Sequence, residues 1–424
     1  MKRKTAIRIP QTRSRGASLI EYGALLGLLG AVGVSSLLEL GGGISEFFTG
    51  AADRVAMPET YDPDAFVIEV QTSSATIFPM AGGAIEVDWG DEAANASCGR
   101  DFVAGASITC DYPRVGTYRI ALTGNMTNYG ANVNSPTNAD ITRVIQWGNT
   151  GLTSLNYAFQ NASNLFDVPN NIPPTVEHLT GIFLNASSLN DADISNWDVG
   201  SVMYFSYAFQ GASAFNQELA DWDMGSAIQL HGMFQDASSF NKPIGSWDTS
   251  SVVNISGMFM GDTSFNQDIS EWDVSSVVSM RSVFHYNNAF SGDISSWDVS
   301  NVSSMRAMFR SSNFNGDISS WDTSGATDMR YMFLENPDFD QDISGWDVGN
   351  VESFESMFLA ASSFNQDISE WDTSSALNMD EMFSGASAFG GDLSSWCVTN
   401  FPIRPVGFSD GSSIAQEPIW GTCP

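Results

Sequence analysis

The sequence predicts a multidomain chain: an apolar N-terminal helix, a small β-sandwich, and a long α/β solenoid of coils about 25 residues long. Three observations predict it. Nine tryptophans, Trp197, Trp222, Trp247, Trp272, Trp297, Trp321, Trp346, Trp371 and Trp396, recur at steps of 25 residues with a single step of 24. A phenylalanine column from Phe209 to Phe383 keeps the same period. Ahead of these stand an apolar run, Tyr22 to Leu38, and several short alternating stretches between residues 63 and 125. Self-similarity with a period of about 20–50 residues is the mark of a solenoid, whose units bury their apolar faces only against one another.

Residues 1–16 carry six basic residues and no acid, and the apolar run that follows is flanked by Glu21 and Glu39. A basic flank before an apolar segment orients the basic end to the cytoplasm. The run of 17 residues is at the short edge for spanning about 30 Å of hydrocarbon. An ordinary signal peptide places small residues after the apolar run, whereas here Gly16 precedes it and an acid stands at its start. The order Gly16-Ala17-Ser18-Leu19-Ile20-Glu21-Tyr22 resembles the leader of type IV prepilins, in their Flp/Tad branch. The resemblance implies cleavage between Gly16 and Ala17 by a prepilin peptidase and a mature hydrophobic pilin helix over residues 17–49. It also implies assembly with other pilin subunits, in which Glu21 and Tyr22 set the register. An acid inside a membrane segment is costly and reads as functional. Gly23, Gly27, Gly30 and Gly33 add small-residue spacing that permits close helix packing.

Residues 50–62 read as a linker. In 63–125, Phe66–Val70, Ala84–Trp89, Ala106–Cys110 and Tyr118–Leu122 alternate like strands of a sandwich. Val87-Asp88-Trp89-Gly90-Asp91 and Pro113 to Tyr118 resemble the two signatures of PKD-like β-sandwich domains. Asp88 and Asp91 read as turn caps rather than metal ligands. Residues 126–183 form a capping region with a degenerate first repeat.

The repeats proper occupy 184–396. Ile294, three residues before Trp297, marks a short strand, and the Asp after each Trp supplies helix N-cap chemistry. Val302, Met305, Met308 and Phe309 fall at i, i+3, i+6 and i+7, one face of a helix. The unit at 357–372, Met-Phe-x-x-Ala-Ser-Ser-Phe-Asn-Gln-Asp-Ile-Ser-x-Trp-Asp, resembles the BspA-like surface repeats, outlying relatives of leucine-rich repeats. That resemblance implies a right-handed leucine-rich-repeat-like solenoid with a parallel sheet on one face, a bacterial surface location and a role in attachment, with no catalytic residue to carry over. Residues 397–424 read as a C-terminal cap.

Cys98 and Cys110 bracket a hairpin, Cys397 replaces the Asp after the last repeat Trp, and Cys423 is penultimate. Two local pairs, Cys98–Cys110 and Cys397–Cys423, fit an oxidising compartment. A zinc site would need closer Cys and His spacing than His178, His231 and His285 provide.

The chain holds 17 basic and 49 acidic residues, net −32. Without the six leader cations, 11 basic against 49 acidic residues leave −38, a field that disfavours nucleic acid as a partner. The acids form columns. Four residues before the Trp stand Asp268, Asp293, Asp317, Asp342 and Asp367, among others, and one after it stand Asp198, Asp273, Asp298 and their equivalents. Stacked carboxylates about 4.8 Å apart repel. The pre-Trp column therefore reads as solvated, or as a place where Ca²⁺ could relieve the repulsion. No phosphate loop, catalytic triad or histidine cluster is present in the sequence, and columns that repeat coil by coil lack the singular residues an active site needs.

The expectation is therefore a pilus- or surface-borne attachment protein, not an enzyme, that passes through the bacterial inner membrane as a precursor. Its ligand would be an unknown surface, glycan or protein. The alternatives are a structural minor pilin that primes or caps a fibre, and a membrane-retained surface protein.

Overall fold

Where apolar and polar residues alternate, the chain forms strands. The computed structural model describes residues 61–130 and 138–424, within a unit running from Tyr61 to Pro424. The leader, the expected 17–49 helix and nearly all of the linker lie outside the described residues. Among the described residues no helix is long and apolar enough to cross a membrane.

Five strands, β1 (Phe66–Ile77), β2 (Pro79–Asp88), β3 (Asp101–Val103), β4 (Ile108–Tyr129) and β5 (Ile141–Gln146), form one sheet in the order β3-β2-β4-β1-β5. All its pairings are antiparallel. A seven-residue helix, α1 (Glu92–Cys98), is capped by Asp91, whose side chain accepts from the Ala94 N–H. Asp88 accepts from the Gly90 N–H and from Asn95 Nδ2. Both acids thus serve the turn, as the sequence reading had it.

The fold class differs from the expected one in three respects. First, the sheet is single, not a two-layered sandwich. Ile108–Cys110 of the expected strand Ala106–Cys110, and Tyr118–Leu122, belong to one long strand: β4 pairs β1 as Phe66–Thr72 against Leu122–Gly116 and as Ser74–Ile77 against Asp111–Ile108. Residues 112–115 stand opposite Ser73 alone as a wide bulge, the device by which a strand bends without ending. The apolar face that a second sheet would have covered is covered by the first coil instead. Ring centroids of Phe66 and Trp147 lie 6.0 Å apart, and those of Tyr129 and Phe159 6.1 Å.

Second, the coils contain no α-helix. Over Met305–Ser311 the amides divide between two kinds of partner. Met308 and Arg310 donate to carbonyls three residues back, whereas Met305, Ala307, Phe309 and Ser311 donate to Asp328, Arg330, Met332 and Leu334 of the next coil. Two residues per coil, four apart, take left-handed φ: Ala307 (55°) and Ser311 (49°), Tyr331 (61°) and Glu335 (55°), with Gly257 and Gly261 filling both places in one coil. A left-handed residue interrupts an α-helix and costs a non-glycine about 1 kcal/mol or more. The inter-coil hydrogen bonds offset that cost. The i, i+3, i+6, i+7 spacing fits a string of turns as well as a helix, so periodicity alone could not separate them.

Third, the parallel ladder sits elsewhere. Ile294 lies in a turn, with the Trp297 N–H donating to its carbonyl at 3.2 Å. The bridge falls on Ser304, inside the segment expected to be helical, and each coil contributes a single bridging residue rather than a strand. These bridges run without a break from Asn128 at the end of β4 through Ser154, His178 and Tyr204 to Asn378. The sheet thus seeds the solenoid, and an α/β architecture gives way to one of strands and turns. A lone 3-10 turn, Ala192–Asn196, is the exception among the repeats.

Each coil closes over the same apolar set. In the coil around Trp297, Ile294, Trp297, Val299, Val302, Met305, Met308, Phe309 and Phe314 are all buried. Trp272 stacks between Trp247 and Trp297 at 6.3 and 6.5 Å, with interplanar angles of 4° and 2°. Every repeat indole also donates to a buried carbonyl of the preceding coil, as Trp297 does to Ile269 at 3.1 Å. An apolar body with one N–H suits a stacked core that must also satisfy backbone carbonyls. The far end is closed by the tail: Phe408 packs edge-on against Phe383, and Trp420 against Phe408. The tail's Arg404 bonds Glu417 and Asp410.

Candidate functional site

The structure joins Cys98 to Cys110 and Cys397 to Cys423, and no described cysteine is free. The first pair ties α1 to β4, and the second ties the tail to the last repeat. Gly16, Ala17, Glu21 and Tyr22 lie outside the described residues.

The acidic columns prove to be turn caps. Asp268, Asp342 and Asp367 accept at Oδ1 from the N–H of the serine two residues on, and so do Asp293 and Asp317, at 2.9–3.0 Å. That serine's N–H and hydroxyl hold each carboxyl below the usual carboxylate range. The post-Trp acids do the same: Asp273 accepts from Ser275 and Asp298 from Ser300. They were expected to cap helices and instead cap turns, because no helix follows. All five pre-Trp acids are exposed, and none belongs to a group of three with ligand atoms within 4.8 Å of one another.

Among the described residues that spacing is reached by Asp167, Asp191 and Asp193, of which the sequence had pointed only to Asp193, as the first acid of the pre-Trp column. Asp167 pairs with Arg143 at 2.6 Å, and Asp191 accepts from the Val168 N–H at 2.8 Å. Burial, with Asp167 beside it, raises the Asp191 pKa. The cluster is thus a partly neutralised tie between β5 and the first coils. Asp193 also borders a cleft of about 650 Å³ lined by Trp147, Asn149, Pro169 and Asn171.

The bridge face has a different character. The Trp, Phe and Asp columns repeat because packing and turn capping demand one residue type. Along the bridge column stand Ser154, His178, Tyr204, Gln229, Asn254, Ser279, Ser304, Asp328, Ser353 and Asn378, polar throughout but not of one type. Two and three residues on, the same face carries Tyr207 and His231, then Arg281, Arg306 and Arg330, then Glu355 and Asp380. The face is thereby zoned into aromatic, cationic and acidic parts. In the aromatic zone His178 stacks on Tyr204 at 4.8 Å and Tyr207 meets His231 edge-on at 4.7 Å. All four of those rings are partly exposed. Burial lowers the His231 pKa, and burial followed by the charge of Arg310 pushes His285 down to about 4, so both are neutral at pH 7. Sequence reading missed this face because the bridge was placed at Ile294. Comparing columns by how much they vary would have exposed it.

Residues 153–254, 241–335 and 310–419 match the family described as Mycoplasma protein of unknown function, DUF285. Those matches cover more than half of the chain. The chain belongs to the DUF285 family. The DUF285 repeats begin one coil before the tryptophan ruler and reach into the tail. They include the repeats that resemble the BspA-like type. They do not reach the leader or the β-sheet, so the likenesses to prepilins and to PKD-like domains gain no support from them. No curated protein matches the chain. Among solved structures, the functional domain of InlJ from Listeria monocytogenes, described as including a cysteine ladder, aligns at 10% identity over 76% of this chain and 74% of that one. Its TM-score of 0.15 is too low for the likeness to carry an argument.

Proposed function

We propose that this DUF285 protein is a surface-borne attachment protein that binds through the bridge face of its solenoid. One observation carries the reading: the bridge face is lined by polar, aromatic and charged side chains of mixed type along the stack, while the Trp and Phe columns repeat. Packing needs the same residue in each coil, whereas recognition needs a different one at each step, and solenoids use such extended faces for binding. Two disulfides fit an oxidising exterior. The acids of the two columns recur coil by coil as turn caps, which favours a binding module over a catalyst.

Cells displaying the full chain are compared under flow with cells displaying a Tyr204→Ala, Gln229→Ala, Asn254→Ala variant, on glass, on mucin and on a lawn of the same cells. The variant is expected to be retained severalfold less on at least one surface. Equal retention of variant and parent on all three, at equal display, overturns the reading.

Export rests on the leader. Gly16-Ala17 ahead of Glu21 favours trimming by a prepilin peptidase, with delivery to a pilus or the outer surface among other pilin subunits. Mass spectrometry of the protein from its host is expected to find a chain starting at Ala17. A first residue beyond Leu38 would remove the prepilin reading and leave the attachment reading standing.

A further inference from the structure

The cationic zone stands out in a chain this acidic. Beyond the leader there are 11 basic residues, and four of them, Arg281, Arg306, Arg310 and Arg330, sit on the bridge face of three consecutive coils. Arg330 is held by Asp328 through two bonds of 2.8 Å. Among the described residues, Arg281, Arg306 and Arg310 make no ion pair. Arg306 lies over the Tyr331 ring at 5.1 Å and Arg310 at 6.0 Å, a contact that orients a guanidinium, and the Arg306 charge also acts on Asp328 without pairing with it. Around them three buried polar atoms lack a hydrogen-bond partner: Arg310 Nε, His285 Nε2 and Ser304 Oγ. His285 is only 8% exposed. Buried polar atoms are normally satisfied, and these three lie in the coils that carry the unpaired cations.

We infer that Arg281, Arg306 and Arg310 form the acid-recognition site of a glycan-binding face, taking the carboxylate or sulfate of an anionic sugar. This rests on the attachment reading and names its ligand class. Guanidinium forks match planar oxyanions. Tyr286, 48% exposed and stacked on His285 at 4.1 Å, offers a ring for a sugar face beside them. The aromatic zone at Tyr204 lies four coils away, about 19 Å at strand spacing, the reach of an oligosaccharide. Arg and Tyr also anchor protein interfaces, so a polyglutamate probe stands for the competing protein-like occupant. A dense polyanion such as nucleic acid would meet the acidic field of the whole chain, while a sugar bearing isolated charges is held within a Debye length of about 8–10 Å by the local cations.

The test uses the full chain in detergent. Probes are an oligogalacturonate, a sulfated galactan oligosaccharide, neutral oligogalactose, inorganic sulfate and a polyglutamate of matched charge. Either acidic glycan is expected to bind at least tenfold more tightly than the neutral one. An Arg281→Gln, Arg306→Gln variant is expected to lose that binding about 30- to 100-fold, with its melting temperature held near wild type, while Asp293→Asn leaves binding unchanged. Arg306→Lys alone, which keeps the charge and loses the fork, is expected to fall in between. Equal binding of acidic and neutral glycans overturns the inference, as does an unaffected double variant. So does polyglutamate or inorganic sulfate binding as tightly as the glycans. Retention under flow separates the two readings: a double variant retained as well as wild type, with the Tyr204, Gln229, Asn254 variant lost, sinks this inference alone.

Discussion

Replacing Trp272 by alanine is expected to cost about 3–5 kcal/mol and to split the solenoid's single unfolding transition into two. The ring is 4% exposed and stacked on both sides, so its removal opens a cavity shared by three coils. It also removes the bond that Nε1 donates to the Ile244 carbonyl at 3.0 Å, leaving that carbonyl with the Trp247 N–H alone. In a solenoid stability is close to a sum of coil and nearest-neighbour terms, so a weak central interface uncouples the halves. Trp272→Phe keeps most of the stack and loses one hydrogen bond, and should cost about 1 kcal/mol. Urea unfolding followed by circular dichroism checks both. A Trp272→Phe protein within about 0.5 kcal/mol of wild type would show that the column is held by stacking alone.

Asp262→Asn is expected to stabilise the protein above pH 8. Asp262 is fully buried, and burial pushes its pKa up to about 8 against the pull of the Ser264 and Phe265 amides. Its Oδ2 has no partner. The same place in neighbouring coils is held by Asn287 and Asn336, which accept the same two kinds of amide bond. Their Nδ2 groups also donate to the carbonyls of Phe265 and Phe314. Because folding raises the pKa, the folded chain binds this proton more tightly than the unfolded chain. Its contribution to stability therefore falls as pH rises from about 4 to about 8 and is flat above. Asparagine removes that slope. The gain at pH 8.5 should be on the order of 2–5 kcal/mol and close to zero at pH 4.5. The same gain at both pH values, or none at pH 8.5, would mean that the carboxyl is not the buried acid described.

How much was legible depends on what kind of constraint each residue answers to. The tryptophan ruler with its one step of 24, the strands of the sheet and both disulfides could be read because each depends on identity at a spacing. The helices were misread for an equally local reason. Val302, Met305, Met308 and Phe309 mark which side chains point inward, and turns and helices share that spacing. The difference lies in Ala307 and Ser311, left-handed at residue types that do not announce it. Their conformation is held by amides that donate to Arg330 and Leu334 of the next coil.

The sequence by itself determined that this protein is a stack of similar coils and which residues fill it, because burial of a repeated apolar set is a property of pattern. Only the tertiary structure decided which backbone groups pair between coils. That pairing placed the parallel bridges at Ser304 and its equivalents, turned the acidic columns into turn caps, and brought Arg281, Arg306 and Arg310 together across coils. The physical reason is that a backbone N–H carries no side-chain label. Its partner is chosen by the neighbouring coil, and with it the face of the solenoid that is left to meet a ligand.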